Sequence, residues 1–249
     1  MSLFKKLTTT GLEAATDTTG GNFQVFDSKV YPAKVKMAYL DVWGSGANYV
    51  ALTLSIDGKD YSENVTITNK AGENFYTKDD KRFPLPGFVT IDDICVIALG
   101  KGLAEMDDET EEKTVKVYDK DAKAELPKVK QVLVGLIGKE IAVAIQRSTE
   151  TVMDKDAQGK YTLPTGKTRD ANSLEKVFEP NTMMTVVEAL AGKEVGEFHK
   201  VWSDKNKGNI RDKTFKGTTP VQSTGAPQAT GTAPAAAAGG RKPLFGNKG

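Results

Sequence analysis

From Val30 to Thr68 the chain carries a strand period almost without a break, and this constrains its fold more than any other feature. Successive side chains of a strand point to opposite faces, so apolar residues two apart line one side. In the first run Tyr31, Val35, Met37, Tyr39 and Trp43 fall on one face, and Lys34, Lys36, Leu40 and Val42 on the other. Gly44-Ser45-Gly46-Ala47 is a turn. A second strand follows over 49–56, with Val50, Leu52, Leu54 and Ile56 on one face. Asp57-Gly58 is a hairpin signal, because both residues tolerate positive φ. A third strand runs from Lys59 to Thr68 and ends at Asn69-Lys70-Ala71-Gly72. The pattern predicts a three-stranded antiparallel meander.

Beyond it, Phe83-Pro84-Leu85-Pro86-Gly87 cannot be helix interior. Thr90-Ile91-Asp92-Asp93 has the residues of a helix start, with Thr90 as the cap, and Ile91, Ile94, Cys95, Ala98 and Leu99 form an apolar stripe. The acidic stretch 105–112 reads as a loop and 114–118 as a strand. Residues 128–136 and 139–147, separated by Gly138, read as a second hairpin. Residues 154–173 are polar and read as a long loop. Val177-Phe178 and 183–187 read as short strands or as a strand and a turn, and 194–211 as a basic helix broken near Gly208. Three strands, a helix and then a hairpin is the order of an OB fold. The expected class is therefore mainly β (α+β): an OB-like five-stranded antiparallel barrel with a helix between strands 3 and 4. The expected domain spans 23–216, after a flexible N-terminal arm over 1–22.

Residues 217–240 are Gly, Thr, Pro and Ala in low-complexity order. Such a composition buries almost nothing, which predicts a disordered C-terminal linker. The terminal segment 241–249 begins Arg241-Lys242-Pro243-Leu244-Phe245, two apolar residues beside two cations at the end of a tether, and reads as a partner-docking peptide. Charge divides along the same line. From His199 to the end there are nine Lys or Arg and two Asp, out of 34 basic and 33 acidic residues in all. The body is thus acidic and the tail basic, which points to an electrostatic role for the tail or to contact between tail and body.

Chemistry is sparse. Cys95 is the one cysteine, set in an apolar run, so it reads as a core residue in a reducing cytoplasm. The N-terminal segment lacks the long apolar stretch of a secretory signal, and no run approaches a membrane span. His199 is the one histidine. With Cys95 it leaves a tetrahedral zinc site two ligands short. Gly166-Lys167-Thr168 lacks the glycine that a phosphate loop needs five positions earlier, where Tyr161 stands. The acids Asp107, Asp108, Glu109, Glu111 and Glu112 have no nucleophile or phosphate cradle beside them. The reading is a non-enzyme without cofactor or metal.

Sequence-tolerant binding of single strands needs cations along the phosphates and flat rings for the bases. Both are concentrated in the first meander and just after it. Tyr39, Trp43, Tyr49, Tyr61, Phe75 and Tyr76 are interleaved with Lys34, Lys36, Lys59, Lys70, Lys81 and Arg82, and these residues form the candidate DNA-binding set. Tyr31 and Lys78 belong to the same stretch. Tyr and Trp are also good strand formers, so some of these rings belong to the core. The features at 35–43, 46–56, 90–99 and 217–245 together resemble a phage single-stranded DNA-binding protein of the divergent OB type. The resemblance implies a protein of the host cytoplasm that coats strands during replication and recombination, recruits replication or recombination proteins through its tail, and can self-associate. Many such tails are acidic, whereas this one is basic, so acidic-tail recruitment does not transfer. The alternative reading is a virion or scaffold protein with a self-associating β-domain, and a third is a replication accessory factor that binds a polymerase or recombinase rather than DNA.

Overall fold

The computed structural model describes residues 25–119, 122–216 and 245. The arm read at 1–22, the linker at 217–240 and residues 241–244 and 246–249 of the terminal peptide lie outside the described residues.

The meander forms as the alternation predicts. β1 (Lys29–Val42), β2 (Asn48–Ile56) and β3 (Lys59–Thr66) pair antiparallel. Val50, Leu52, Leu54 and Ile56 are all buried on one face of β2. β1 departs from the expected pattern. Its ladder with β2 pairs Val35 with Leu54 and then Met37 with Thr53, so Lys36 is an extra residue, a β-bulge. One extra residue reverses the in–out order of everything after it. Tyr31, Ala33 and Val35 point inward before the bulge, and Ala38 is the buried residue after it. Met37, Tyr39 and Asp41 therefore leave the face of Tyr31 and Val35 and join the outer face with Thr53, Ala51 and Tyr49.

The other edge of β1 is shared by two strands. β8 (Glu140–Lys155) pairs with its first half, from Lys29 opposite Ile145 to Lys34 opposite Glu140. β7 (Ala124–Leu133) meets its second half at Tyr39–Val132 and Leu40–Gln131. Segments 128–136 and 139–147 are thus successive pieces of one interrupted strand, not a hairpin. Gly138, at φ 82°, makes the break between them. Its N–H donates to the Val35 carbonyl at 2.8 Å, and Val35 N–H donates to Lys139 at 2.9 Å, so both pieces stay in register with β1.

The true hairpins are β6 (Thr110–Asp119) with β7, and β8 with β9 (Tyr161–Phe178). Much of the stretch read as a loop at 154–173 is therefore strand. Its polar sequence hides this because both sides of the projecting hairpin are largely exposed, so no alternation is required. Gly166-Lys167-Thr168 lies inside β9. β4 (Phe75–Lys78) and β5 (Lys81–Pro84) form a separate two-stranded sheet, and β10 (Arg211–Lys213) lies parallel beside β8.

The five-stranded closed barrel is not what forms. Among the described residues eight strands make one sheet. Its outer strands β3 and β9 approach each other without a backbone ladder. The contact between them is the Glu63 carboxylate, which accepts the Leu174 N–H at 2.9 Å and the Tyr61 hydroxyl. Burial raises the Glu63 carboxyl above its usual range, against the lowering effect of these donors.

α1 (Pro86–Leu99) covers the inner face of the sheet. It begins at Pro86, where a missing N–H costs nothing. Thr90 is therefore not its cap, and instead donates its hydroxyl to the Pro86 carbonyl at 3.0 Å. A Cβ on Gly87 would lie 2.1 Å from the Thr66 carbonyl, so the helix start fits against the end of β3 only as glycine. Ile91, Ile94, Cys95, Val96 and Ile97 are buried, and burial pushes the Cys95 thiol up to about 12.

Val177-Phe178 ends β9, and residues 183–187, read as a strand or a turn, lead into α2 (Val186–Leu190). Thr185 and Glu188 cap it reciprocally, and Glu188 also accepts the N–H groups of Glu197 and Phe198 at 2.8 and 2.9 Å. That carboxylate so ties α2 to α3 (Phe198–Asn206). Among the described residues no helix is long and apolar enough to cross a membrane.

Two outcomes are expected. Deleting Lys36 should lower the melting temperature sharply, because Ala38 and Leu40 would turn outward, whereas Lys36→Ala should stay within about 0.5 kcal/mol of the parent. The Glu63 carboxyl titrates higher folded than unfolded, so its contribution to stability is complete below about 4.5 and is lost as pH rises through the folded value. Denaturant melts of Glu63→Gln and the parent should therefore diverge with rising pH, the parent losing ground.

Candidate nucleic-acid interface

The bulge at Lys36 assembles the outer face of the meander. Past it, Tyr39 and Asp41 on β1 stand opposite Ala51 and Tyr49 on β2, which in turn stand opposite Asn64 and Thr66 on β3. Trp43 follows the end of β1 and is 36% exposed. Its ring stacks on Tyr49 at 4.2 Å between centroids and 28° between planes. Its indole N–H donates to the Thr66 hydroxyl at 3.0 Å, which fixes the ring across three strands. The result is a stacked ring pair tied across three strands and partly exposed to solvent, and accessible rings are what base stacking requires.

Acids and cations frame this platform. Asp41 accepts the Tyr49 hydroxyl at 3.1 Å and pairs with Lys130 of β7 at 2.6 Å. Burial alone would raise the Asp41 carboxyl, but Lys130, the Val42 N–H and Tyr49 outweigh it and hold it below the usual carboxylate range. Burial, together with the bond to Asp41, pushes the Tyr49 hydroxyl up to about 12, so the ring stays neutral. Lys36 pairs with Asp60 at 2.6 Å. Lys34 is exposed and makes no ion pair among the described residues.

The remaining candidates separate into three groups. Tyr61 is buried, and its hydroxyl donates to Glu63 in the seam between β3 and β9. Burial raises its pKa well above the usual phenol value. Tyr61 is a core residue, and this corrects its place in the binding set. Tyr31 is likewise buried, edge-on to Phe26. Lys59 is exposed where β2 turns into β3, at the end of the meander opposite Trp43.

Phe75, Tyr76, Lys81 and Arg82 belong to the β4–β5 hairpin. There Tyr76 stacks on Phe83 at 5.6 Å and the Arg82 guanidinium lies over Phe75 at 4.6 Å. These rings are half-buried against their own hairpin partners. The hairpin turns at Asp79-Asp80, both with positive φ. Lys70 is exposed in the turn that leads to this hairpin. That turn borders the Trp43 loop: a Cβ on Gly46 would sit 3.6 Å from the Lys70 carbonyl oxygen.

Lys130 escaped the sequence reading. The alternation Lys128-Val129-Lys130 is visible in the sequence, but only the pairing of β7 with β1 brings it beside Tyr39 and Asp41. Lys113 stands opposite Lys130 on β6 and extends the same face, where it pairs with Glu111 at 3.2 Å. The chain matches no family model, no curated protein and no solved structure.

Proposed function

We propose that this chain binds single-stranded nucleic acid, DNA in the first place, on the outer face of its meander. The observation that carries the reading is the partly exposed Trp43–Tyr49 stack, with Tyr39 on the same face, Lys130 reaching it through Asp41, Lys70 in the neighbouring turn, and Lys34 and Lys36 farther along β1. Bases stack on such a platform without regard to sequence, and the lysines meet the phosphates.

The strand order supports the same reading. β9, β8, β1, β2 and β3 run side by side, with α1 following β3, and this is the order of an OB-like sheet whose ends approach without pairing. OB folds bind oligonucleotides across their second and third strands and the adjoining loops. In this chain that region carries Trp43, Tyr49 and the turn at Lys70. Coating of exposed strands during phage replication or recombination is the role proposed for that activity.

The cations temper the expected salt dependence. Lys36 and Lys130 are already paired with Asp60 and Asp41, so a phosphate must displace a carboxylate to reach them. For about three neutralised phosphates on a single strand, the log–log slope of affinity against salt should be about −2.

Titration with oligothymidine tests the reading directly. The chain has two tryptophans, and Trp202 is buried with its N–H on Glu175 at 3.1 Å. Quenching of emission therefore reports Trp43. Quenching is expected, and Trp43→Ala should weaken binding about tenfold or more, from the roughly 1–3 kcal/mol that one stack contributes, without a large fall in melting temperature. Unchanged emission together with no mobility shift at low salt would overturn the reading.

A self-associating assembly protein is the second reading. Val187 and Leu190 of α2, Val195, and Phe198 and Val201 of α3 are exposed apolar side chains. Sedimentation over a range of concentrations decides between the two. Assembly in the absence of nucleic acid, abolished by Val201→Glu, favours self-association as the primary activity.

A further inference from the structure

The β4–β5 hairpin carries three aromatic rings that the core does not use. Phe75, Tyr76 and Phe83 are partly buried, yet none of them packs against either hydrophobic cluster of the folded domain. Their ring contacts lie within the hairpin, Tyr76 on Phe83 and Arg82 over Phe75. The two strands pair only with each other. Among the described residues no hydrogen bond or ion pair ties 75–84 to the main sheet.

Pairing sorts these side chains onto two faces, because opposed residues of an antiparallel ladder share a side. Tyr76 opposes Phe83, and two residues along Lys78 opposes Lys81. Two stacked rings and two ammonium groups therefore occupy one face, while Phe75, Thr77, Arg82 and Pro84 take the other. Like charges directly opposed destabilise a ladder. Lys78 and Lys81 are nevertheless opposed and exposed, and neither makes an ion pair among the described residues, even with the turn acids Asp79 and Asp80. Lys36, Lys113, Lys128 and Lys130, by contrast, each hold a carboxylate. The hairpin lysines have no such partner to displace before they meet a phosphate.

The hairpin also stands near the platform in the chain. The turn before it borders the Trp43 loop at Lys70, and five residues separate Lys70 from Phe75, so the hairpin begins within about 18 Å of that loop. It lies between β3 and α1, outside the strands and loops on which an OB sheet holds oligonucleotides.

We propose that the β4–β5 hairpin is a second contact for the same single strand. Tyr76 and Phe83 take a base beyond those at Trp43 and Tyr49, and Lys78 and Lys81 hold the phosphates beside it. The ligand class rests on the nucleic-acid reading above, whereas the hairpin's part in it rests on its own residues.

The test compares oligothymidines of about 4 and about 12 nucleotides, within the range that one such domain covers. The short strand covers the platform alone. The long strand adds the two hairpin lysines, so its log–log salt slope should be steeper by about 1.4. Lys78→Gln together with Lys81→Gln should abolish that difference and weaken the long strand about tenfold, with the short strand and the Trp43 quenching at saturation unchanged. Lys200→Gln with Lys205→Gln, exposed positions on α3, makes the same change in net charge and should leave the difference in place. Tyr76→Leu, which keeps an apolar side chain against Phe83, should also weaken only the long strand. Backbone amides of 75–84 should exchange more slowly once the long strand is bound. Equal losses in the two double variants, or unchanged exchange at 75–84 while Trp43 is quenched, would remove the hairpin from the interface and leave the nucleic-acid reading standing. Absence of both quenching and a mobility shift with either strand would remove the two together.

Discussion

One inserted residue decides which side of this protein faces solvent. Lys36 has no partner of its own in the β1–β2 ladder, and the strand beyond it is turned over. Without the bulge, Tyr39 and Asp41 would point into the core, and Ala38 and Leu40 would lie on the surface. With it, the inner face carries Tyr31, Ala33, Val35, Ala38 and Leu40, while the outer face acquires Tyr39, Asp41 and the ring pair at Trp43 and Tyr49. A uniform alternation could fill a core on one side, but it would have to put aromatic rings and the Asp41 carboxylate inside with it. A buried carboxylate without partners is costly, so the bulge resolves a conflict already present in the sequence.

The second constraint is the division of labour along β1. Its two halves meet different strands on one edge and a single strand on the other. Gly138 permits this, since its positive φ lets the chain step out of line between β7 and β8 and return. Each of those strands then takes a hairpin partner of its own. The sheet grows in two directions from β1, which is why eight strands form around a core of modest size. Lys130 reaches Asp41 through the same arrangement, so the polar setting of the aromatic platform derives from how the far half of the sheet is attached.

Much of this was legible in the residues. The meander, its turns and the buried face of β2 follow from period-two alternation and from Asp57-Gly58. The helix after Pro86 follows from its apolar stripe, and Cys95 in its interior from the surrounding isoleucines and valines. The misreadings have physical causes. A bulge leaves no mark in composition, so plain alternation puts Tyr39 and Tyr31 on one face. β9 is too polar to show alternation, because most of its side chains are not fully buried. The pairing of segments near residues 130 and 145 with β1 rather than with each other is a long-range fact that local pattern cannot carry. Of the candidate rings, Trp43, Tyr49 and Tyr39 lie together. Tyr61 lies inside because its strand position matches Val65, and Phe75 and Tyr76 pack within a hairpin of their own.

The entry of β1 is sealed by residues distant in the chain. The Ser28 hydroxyl donates to the Asn209 carbonyl, Gln146 donates to Ser28, and Gly208 donates its N–H to the Ser28 carbonyl. During synthesis the meander is therefore complete long before the strand that covers its open edge exists. At about 5–20 residues per second, the roughly 80 residues between Thr66 and Gln146 take of the order of 4–16 seconds to be made. Throughout that interval one row of β1 amides and carbonyls has no partner from its own chain. Such an edge is a template for another strand. Polysomes carrying many copies of this chain would hold these edges close together, and the exposed Lys34 places a like charge beside each of them during that wait.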